Sequence, residues 1–307
     1  MLFISVKCCY SCQNSLHRRF NRARMIKYIV TLLCMANCAI NGVELDIPQA
    51  ISDAEFQKLV IPQEHAYKVA TLNQYGYMFT IFDPIIERLL QSIEKNPKQT
   101  VFEVGGAYGN VAEAALEKGV ENYYLNDCEE RHLKSFARKL KENGKTHVFQ
   151  ALHLISGRCP EDMIVPANSL DAILVNKVLH FFTPDTIDHF VHWLNQGLKP
   201  GGRVFVLTVS PFFKGHEEFL EEYQQKKQEG LRFPGYRAIY NESKFAQTME
   251  VETRPSHLLF MELSALKELF LQHGFQIEEE FELAIIDHDS PEWRAGRDMV
   301  GIIAYKP

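Results

Sequence analysis

From Thr100 onward the chain alternates short apolar runs with amphipathic stretches, and this alternation limits its fold more than any other feature. Val101 to Val104, Tyr123 to Asn126, Val148 to Leu154, Ala172 to Asn176 and Arg203 to Thr208 read as strands. Between them, Asn110 to Lys118, Glu130 to Glu142 and Pro184 to Gly197 carry helical spacing. Strands that are apolar throughout must be covered on both faces, and the intervening helices are the available cover. The pattern therefore predicts an α/β domain around a mainly parallel sheet. Ligands of such sheets sit at the carboxyl ends of the strands.

The flanks extend this core, and residues 44–307 read as one domain. Residues 52–99 read as a helical preface, with Ser52 and Asp53 as caps, Phe79, Phe82, Ile85, Ile86, Leu89 and Leu90 at helical spacing, and Asn96-Pro97 as a stop. Residues 100–210 are the ligand-binding core. Residues 211–255 exceed an ordinary connection and read as an inserted lid, with a helix near Glu217 to Gln228 and a turn at Phe233-Pro234-Gly235. Its aromatic residues, among them Phe212, Phe219, Tyr223, Tyr236 and Tyr240, either line a substrate pocket under the lid or pack the lid down. Residues 256–307 supply a helix at Ser264 to Gln272, a turn at Gly274, and strands at Gln276 to Ile286 and Met299 to Tyr305. No internal repeat is present.

Residues 1–43 differ from the rest. They hold two Lys, four Arg and no acid, and a basic stretch, Arg18 to Lys27, precedes the apolar run Tyr28 to Ile40. That run is well short of the roughly 20 residues a membrane-spanning helix needs, so no integral span is expected. It suits a secretory signal, and an amphipathic or disordered leader is the other reading. Beyond the leader, 27 basic residues face 39 acidic ones, a net −12. Nucleic-acid phosphates are poor partners for such a body, because binding them relies on Lys and Arg displacing counterions. Five of the seven cysteines also lie in the leader. Cys9 and Cys12 have metal-ligand spacing but no second pair, and no metal is expected. Cys128 and Cys159 show no pairing pattern and are expected as free thiols in a reducing compartment.

The first strand runs into Glu103-Val104-Gly105-Gly106-Ala107-Tyr108-Gly109-Asn110, a turn whose glycines let a ligand approach the backbone. The dinucleotide spacing G-x-G-x-x-G is absent. Glu103 would repel a pyrophosphate but suits a ligand carrying ammonium and sulfonium charges. At the end of the second strand, Asp127 can accept from both hydroxyls of a ribose, or cap the following helix.

These features, with Pro166 to Asp171 before the fourth strand and Lys199-Pro200-Gly201-Gly202 before the fifth, resemble the class I S-adenosylmethionine-dependent methyltransferases from about Thr100 to Thr208. The resemblance implies a Rossmann-like, doubly wound, seven-stranded sheet and S-adenosylmethionine as cofactor. It implies a cofactor site built from Glu103, Gly105, Gly106, Gly109, Asp127, Cys159, Pro160 and Asn176, and a small-molecule acceptor methylated at oxygen or nitrogen. A protein methyltransferase and a non-catalytic binder that kept the fold are the alternatives. Two departures stand out. Ala107 replaces the middle glycine, and Cys159-Pro160 stands where the family has an acid followed by a residue whose N–H contacts adenine. A thiol accepts weakly and proline has no N–H, so Glu161 or Asp162 would have to serve. In a subset of the family's O-methyltransferases, a histidine at the position of His180 removes the acceptor's proton. A structural histidine bonded at a strand end is the other reading. Asp185 with His189, Asp188 with His192, and Asp287-His288-Asp289 fit surface pairs and a polar turn as well as they fit metal ligands. The donor is a cytosolic metabolite, so the expected site of action is cytosolic, against a signal-like leader that suggests export. Oligomeric state is left open.

Overall fold

The computed structural model of the chain describes residues 40, 42–52, 61–65, 67–73, 75–214, 216–247, 254–285 and 293–307; residues 1–39 and Asp287-His288-Asp289 lie outside them. Chain order begins with a short edge strand β1 (Val43–Glu44), helix α1 (Ile47–Ser52) and a hairpin of β2 (Lys68–Ala70) and β3 (Tyr77–Phe79). Next come α2 (Pro84–Lys95), β4 (Thr100–Glu103), α3 (Asn110–Glu117), β5 (Asn122–Asp127), α4 (Glu130–Glu142), β6 (Leu152–Ser156), β7 (Leu170–Asn176), α5 (Ile187–Gly197) and β8 (Leu198–Val209). The insertion holds α6 (Leu220–Gln228), β9 (Tyr236–Arg237) and α7 (Lys244–Gln247). The chain ends with β10 (Leu258–Leu259), α8 (Leu263–Gln272), β11 (Gln276–Ile285), β12 (Trp293–Ala295) and β13 (Met299–Tyr305).

The main sheet has the order β1-β6-β5-β4-β7-β8-β13-β11-β12. Strands β6, β5, β4, β7 and β8 pair in parallel. β13 inserts antiparallel between β8 and β11, completing the seven expected strands. The two short edges, β1 and β12, were not foreseen. From β4 the chain steps outward to β5 and β6, then returns to the other side of β4 for β7 and β8. Strand order therefore reverses at β4, and a crevice opens at its carboxyl end.

Side-chain alternation explains why the sheet is covered twice. Val101, Leu174, Phe205 and Leu207 enter one apolar cluster with Leu89, Ile93 and Phe136. Their neighbours Phe102, Ile173, Val175, Val204 and Val206 enter another with Phe190, Leu194 and Leu266. A period of two along strands apolar at every position leaves no face for water.

Four boundaries differ from expectation. The preface is not one helix over 52–99, because it contains the β2–β3 hairpin, and Phe79 lies in a strand. α2 begins at Pro84, where Asp83 Oδ1 accepts from the amides of Ile85 and Ile86 at 3.1 Å. An N-cap followed by proline sets a start that apolar spacing alone places too early. The run from Val148 splits into a short 3-10 turn (Thr146–Gln150) and then β6. The leader boundary moves from 43 to before 40, because Ile40 is buried and β1 pairs with β6. Finally, the insertion packs on the segment that follows it: Phe219, Tyr223 and Tyr240 form a third apolar cluster with Phe260, and β9 pairs with β10. Among the described residues no helix is long and apolar enough to cross a membrane.

Candidate functional site

A cavity of about 380 Å³ occupies the crevice at the end of β4. Its floor is the glycine turn, Glu103 to Ala107. One side is formed by Asn126 to Cys128 and by Gly157 to Cys159 with Glu161, the other by Asn176 to Val178 with Phe181 and Phe182. The turn has no room for side chains: a Cβ on Gly106 would lie 2.2 Å from Leu125 Cδ1 and 2.7 Å from the Glu103 carboxyl carbon, and one on Gly105 would lie 2.8 Å from Val178. Ala107, in place of the family's middle glycine, adopts φ 46° in the left-handed region that glycine enters without strain.

Glu103 is buried beneath this turn and accepts from the Tyr123 hydroxyl at 2.7 Å. Burial pushes its carboxyl up to about 7, the Tyr123 bond opposes that rise and the Asp127 charge adds to it. Asp127 is buried as well. Its Oδ2 accepts from the Ala107 amide at 2.8 Å, and its Oδ1 accepts from the Glu129 amide at 2.8 Å and lies 3.1 Å from His132 Nδ1. The expected helix-capping role and a place on the cavity wall thus coexist in one carboxylate.

Asn176 lines the cavity and donates to Asp83 Oδ2 at 3.0 Å. Lys177 pairs with the same oxygen and has φ 59°, so a strained, charged residue follows β7 directly at the site. Three expected cofactor contacts change. Gly109 does not line the cavity; its φ is 71°, and a Cβ there would lie 2.5 Å from the Phe136 ring, so it shapes the start of α3. Pro160 is not in the lining either, whereas Glu161 is. Cys159 lines the cavity, but burial pushes its thiol well up and Sγ donates to Asn126 Oδ1 at 3.2 Å, so it acts as a donor inside the protein. Both Cys128 and Cys159 are free thiols.

His180 does not take the expected place of a base. It is buried, is not in the lining, and its Nδ1 lies 3.4 Å from Thr208 Oγ1, so the structural reading describes it. Burial and the Lys177 charge lower its pKa to about 3, which makes the ring a weak acceptor for a hydroxyl proton. For the methyl transfer that the resemblance implies, His180→Gln is therefore expected to keep the rate within about threefold of the parent. The same burial has a pH consequence. The unfolded ring takes a proton near 6.5 and the folded ring only near 3, so stability held above 6.5 is lost as pH falls through that window. Urea unfolding at pH 7 and pH 5 should show a loss of about 2 kcal/mol from this ring, at ~1.4 kcal/mol per pH unit, and a smaller loss in His180→Gln. A rate deficit of about a hundredfold or more would restore the general base.

The cover of the cavity also differs from expectation. None of the described residues of the 211–255 insertion lines it; Thr71, Asn73, Tyr75, Tyr77 and Phe79 of the β2–β3 hairpin do. Tyr75 packs against Phe181, ring centroids 4.9 Å apart, and both line the cavity. His257, Thr183 and Thr186 complete that side, His257 with Nε2 3.1 Å from the Phe181 carbonyl oxygen. Sequence reading missed the hairpin, Asn126, His132 and His257. His132, five residues after Asp127 on the next helix, is the one with a readable signal. Asp188, offered as a partner for His192, instead bonds Arg232 Nη2 and His273 Nε2, both at 2.8 Å.

The residues present fit S-adenosylmethionine: a glycine turn that a Cβ would fill, with two buried carboxylates at its edges. A family model for a methyltransferase domain matches residues 75–280. No curated protein matches the chain in sequence. Among solved structures, an S-adenosylmethionine dependent methyltransferase from Mesorhizobium loti has a TM-score of 0.50 at 15% identity, covering 72% of this chain and 98% of its own. A protein from Pyrococcus horikoshii gives 0.49 at 13% identity, covering 73% and 88%. The 1,6-didemethyltoxoflavin-N1-methyltransferase of Burkholderia thailandensis, solved with 1,6-didemethyltoxoflavin and S-adenosylhomocysteine bound, gives 0.46 at 15% identity, covering 73% and 78%. At these identities the likeness is one of fold.

Proposed function

The chain belongs to the class I S-adenosylmethionine-dependent methyltransferases, and from that membership we propose that it methylates a small, flat acceptor, at oxygen or nitrogen, held beneath the β2–β3 hairpin. In this reading Glu103 faces the donor's ammonium group, the amides of Gly105 and Gly106 border its methionine part, and Asp127 accepts from the ribose. Glu161 and the backbone beside Cys159 border the adenine, so the donor is recognised without the family's usual acid at 159. The donor supplies a methyl group on a positively charged sulfur, open to attack by an oxygen or nitrogen lone pair.

The observation that carries the acceptor assignment is the hairpin wall. Tyr75, Tyr77, Phe79 and Phe181 line the cavity together, and flat apolar walls select a flat apolar ligand. The residues act by orientation and by excluding water, which can supply about 7–11 kcal/mol of the barrier, so the lack of a base in the cavity wall at His180 is no obstacle.

Incubation with donor labelled in its methyl group and a small-molecule extract is the test. Label should accumulate in the low-mass fraction, and transfer should fall about tenfold in Tyr77→Ala with donor affinity kept within about threefold. Label confined to the protein fraction would favour the protein-methylating alternative. Donor binding without any transfer would favour the non-catalytic one.

A further inference from the structure

His132 has no role in the account above, yet it is fully buried beside the cavity and both of its ring nitrogens are engaged. Nε2 lies 2.8 Å from the backbone amide nitrogen of Leu72, between the two hairpin strands. An amide N–H only donates, so Nε2 accepts, and the proton of the neutral ring sits on Nδ1. Nδ1–H then donates to Asp127 Oδ1 at 3.1 Å. The ring thus ties one oxygen of the ribose-facing carboxylate to the backbone of the hairpin that covers the cavity.

Neighbouring contacts make this a built junction. Arg131, the preceding residue on α4, donates through Nη2 to the Leu72 carbonyl at 2.8 Å, so one turn of helix grips both polar groups of that peptide position. Tyr108, from the glycine turn, packs edge-on to the His132 ring at 4.6 Å and donates to the Ala70 carbonyl at 2.9 Å. The hairpin is therefore held by the same two segments that form the donor site.

We propose that His132 is a positioning residue for methyl transfer, which orients Asp127 through Nδ1 and fastens the cover of the acceptor chamber through Nε2. The proposal rests on the reading of Asp127 as the ribose acceptor. The ring reaches Leu72 from a position fixed by Asp127, so a donor that orders the carboxylate also orders the hairpin, and by reciprocity a closed hairpin favours the donor.

Two substitutions separate the halves. Asn places its amide nitrogen near the position of Nδ1 and cannot reach Leu72, whereas Gln places its oxygen near the position of Nε2 and loses the donor to Asp127. S-adenosylhomocysteine is the probe, with affinity measured by calorimetry and the Leu72 amide followed by hydrogen exchange in the full chain. In the parent protein the probe should slow exchange at Leu72 about tenfold. His132→Asn should bind it within about threefold of the parent and show fast exchange at Leu72 with or without it. His132→Gln should bind it about tenfold more weakly and keep Leu72 at the protection of the ligand-free parent. Parent-like protection of Leu72 in His132→Asn, or equal loss of both readouts in both variants, would overturn the proposal. If Asp127→Asn and His132→Gln both bind the probe as the parent does, the ribose reading fails alone, and exchange in His132→Asn still decides the hairpin half.

Discussion

Glu103→Gln is expected to make the ligand-free protein more stable at pH 8 and a poorer binder of S-adenosylmethionine. The carboxyl titrates near 4.5 in the unfolded chain and near 7 in the folded one, because it is buried. A raised value means that the folded state holds its proton longer. The stability this group contributes is therefore complete below pH 4.5 and is lost as pH rises through 7. At pH 8 the buried charge costs on the order of 3 kcal/mol. Glutamine keeps an acceptor for the Tyr123 hydroxyl and carries no charge, so the cost disappears. The melting temperature at pH 8 should rise by several degrees, and the gain should vanish near pH 4.5. Affinity for the donor should fall about ten- to a hundredfold, since a charged partner for its ammonium group, worth roughly 1.5–3 kcal/mol, is gone. Equal stability of the two proteins at pH 8, or unchanged affinity, would remove Glu103 from this role. An acid costly to the ligand-free fold is one whose presence binding explains.

The second large effect is expected at Asp127. Its two oxygens serve the amides of Ala107 and Glu129 and the Nδ1–H of His132. Asp127→Asn keeps the shape but turns one acceptor into a donor, which must face one of these N–H groups. Leaving a buried donor unmatched costs about 1–3 kcal/mol, so the variant should lose stability by that amount while still folding. Loss of the charge-assisted bonds to ribose should weaken the donor about ten- to a hundredfold, measured by calorimetry below the variant's melting range. Parent-like stability would mean that the carboxylate does not hold the glycine turn. Parent-like affinity would mean that it does not meet the ribose.

The fold was legible where every side chain of a strand has the same task. The central parts of β4, β7 and β8 are apolar on both faces, and short runs such as Ala172 to Val175, set between helical stretches, read as buried strands. The hairpin was not legible: β2 and β3 have three residues each, all half-buried, and Phe79 and Phe82 happen to continue the apolar spacing of α2. The lid reading failed for a related reason. Aromatic residues in a long insertion mark an apolar contact without saying with what, and Phe219, Tyr223 and Tyr240 meet one another and Phe260 rather than the cavity.

Within the site, Glu103, Gly105, Gly106, Asp127 and Asn176 were legible because a strand end fixes direction as well as position, and all five line one cavity. His180 was misplaced by its neighbours. The chain turns into a short 3-10 segment after Val178, so Phe181 and Phe182 face the cavity while His180 meets Thr208 behind them. At Cys159-Pro160 the thiol lines the cavity and the proline does not, and Glu161, two residues on, lines it as well.

Photolabelling with an azidoadenine analogue of S-adenosylmethionine tests the placement of the donor most directly. Irradiation of the full chain, followed by proteolysis and mass spectrometry, should find the label on peptides spanning 126–132 and 157–163, and excess S-adenosylhomocysteine should suppress it. Label on other segments, or label that S-adenosylhomocysteine does not displace, would contradict a donor bound between Asp127 and Glu161.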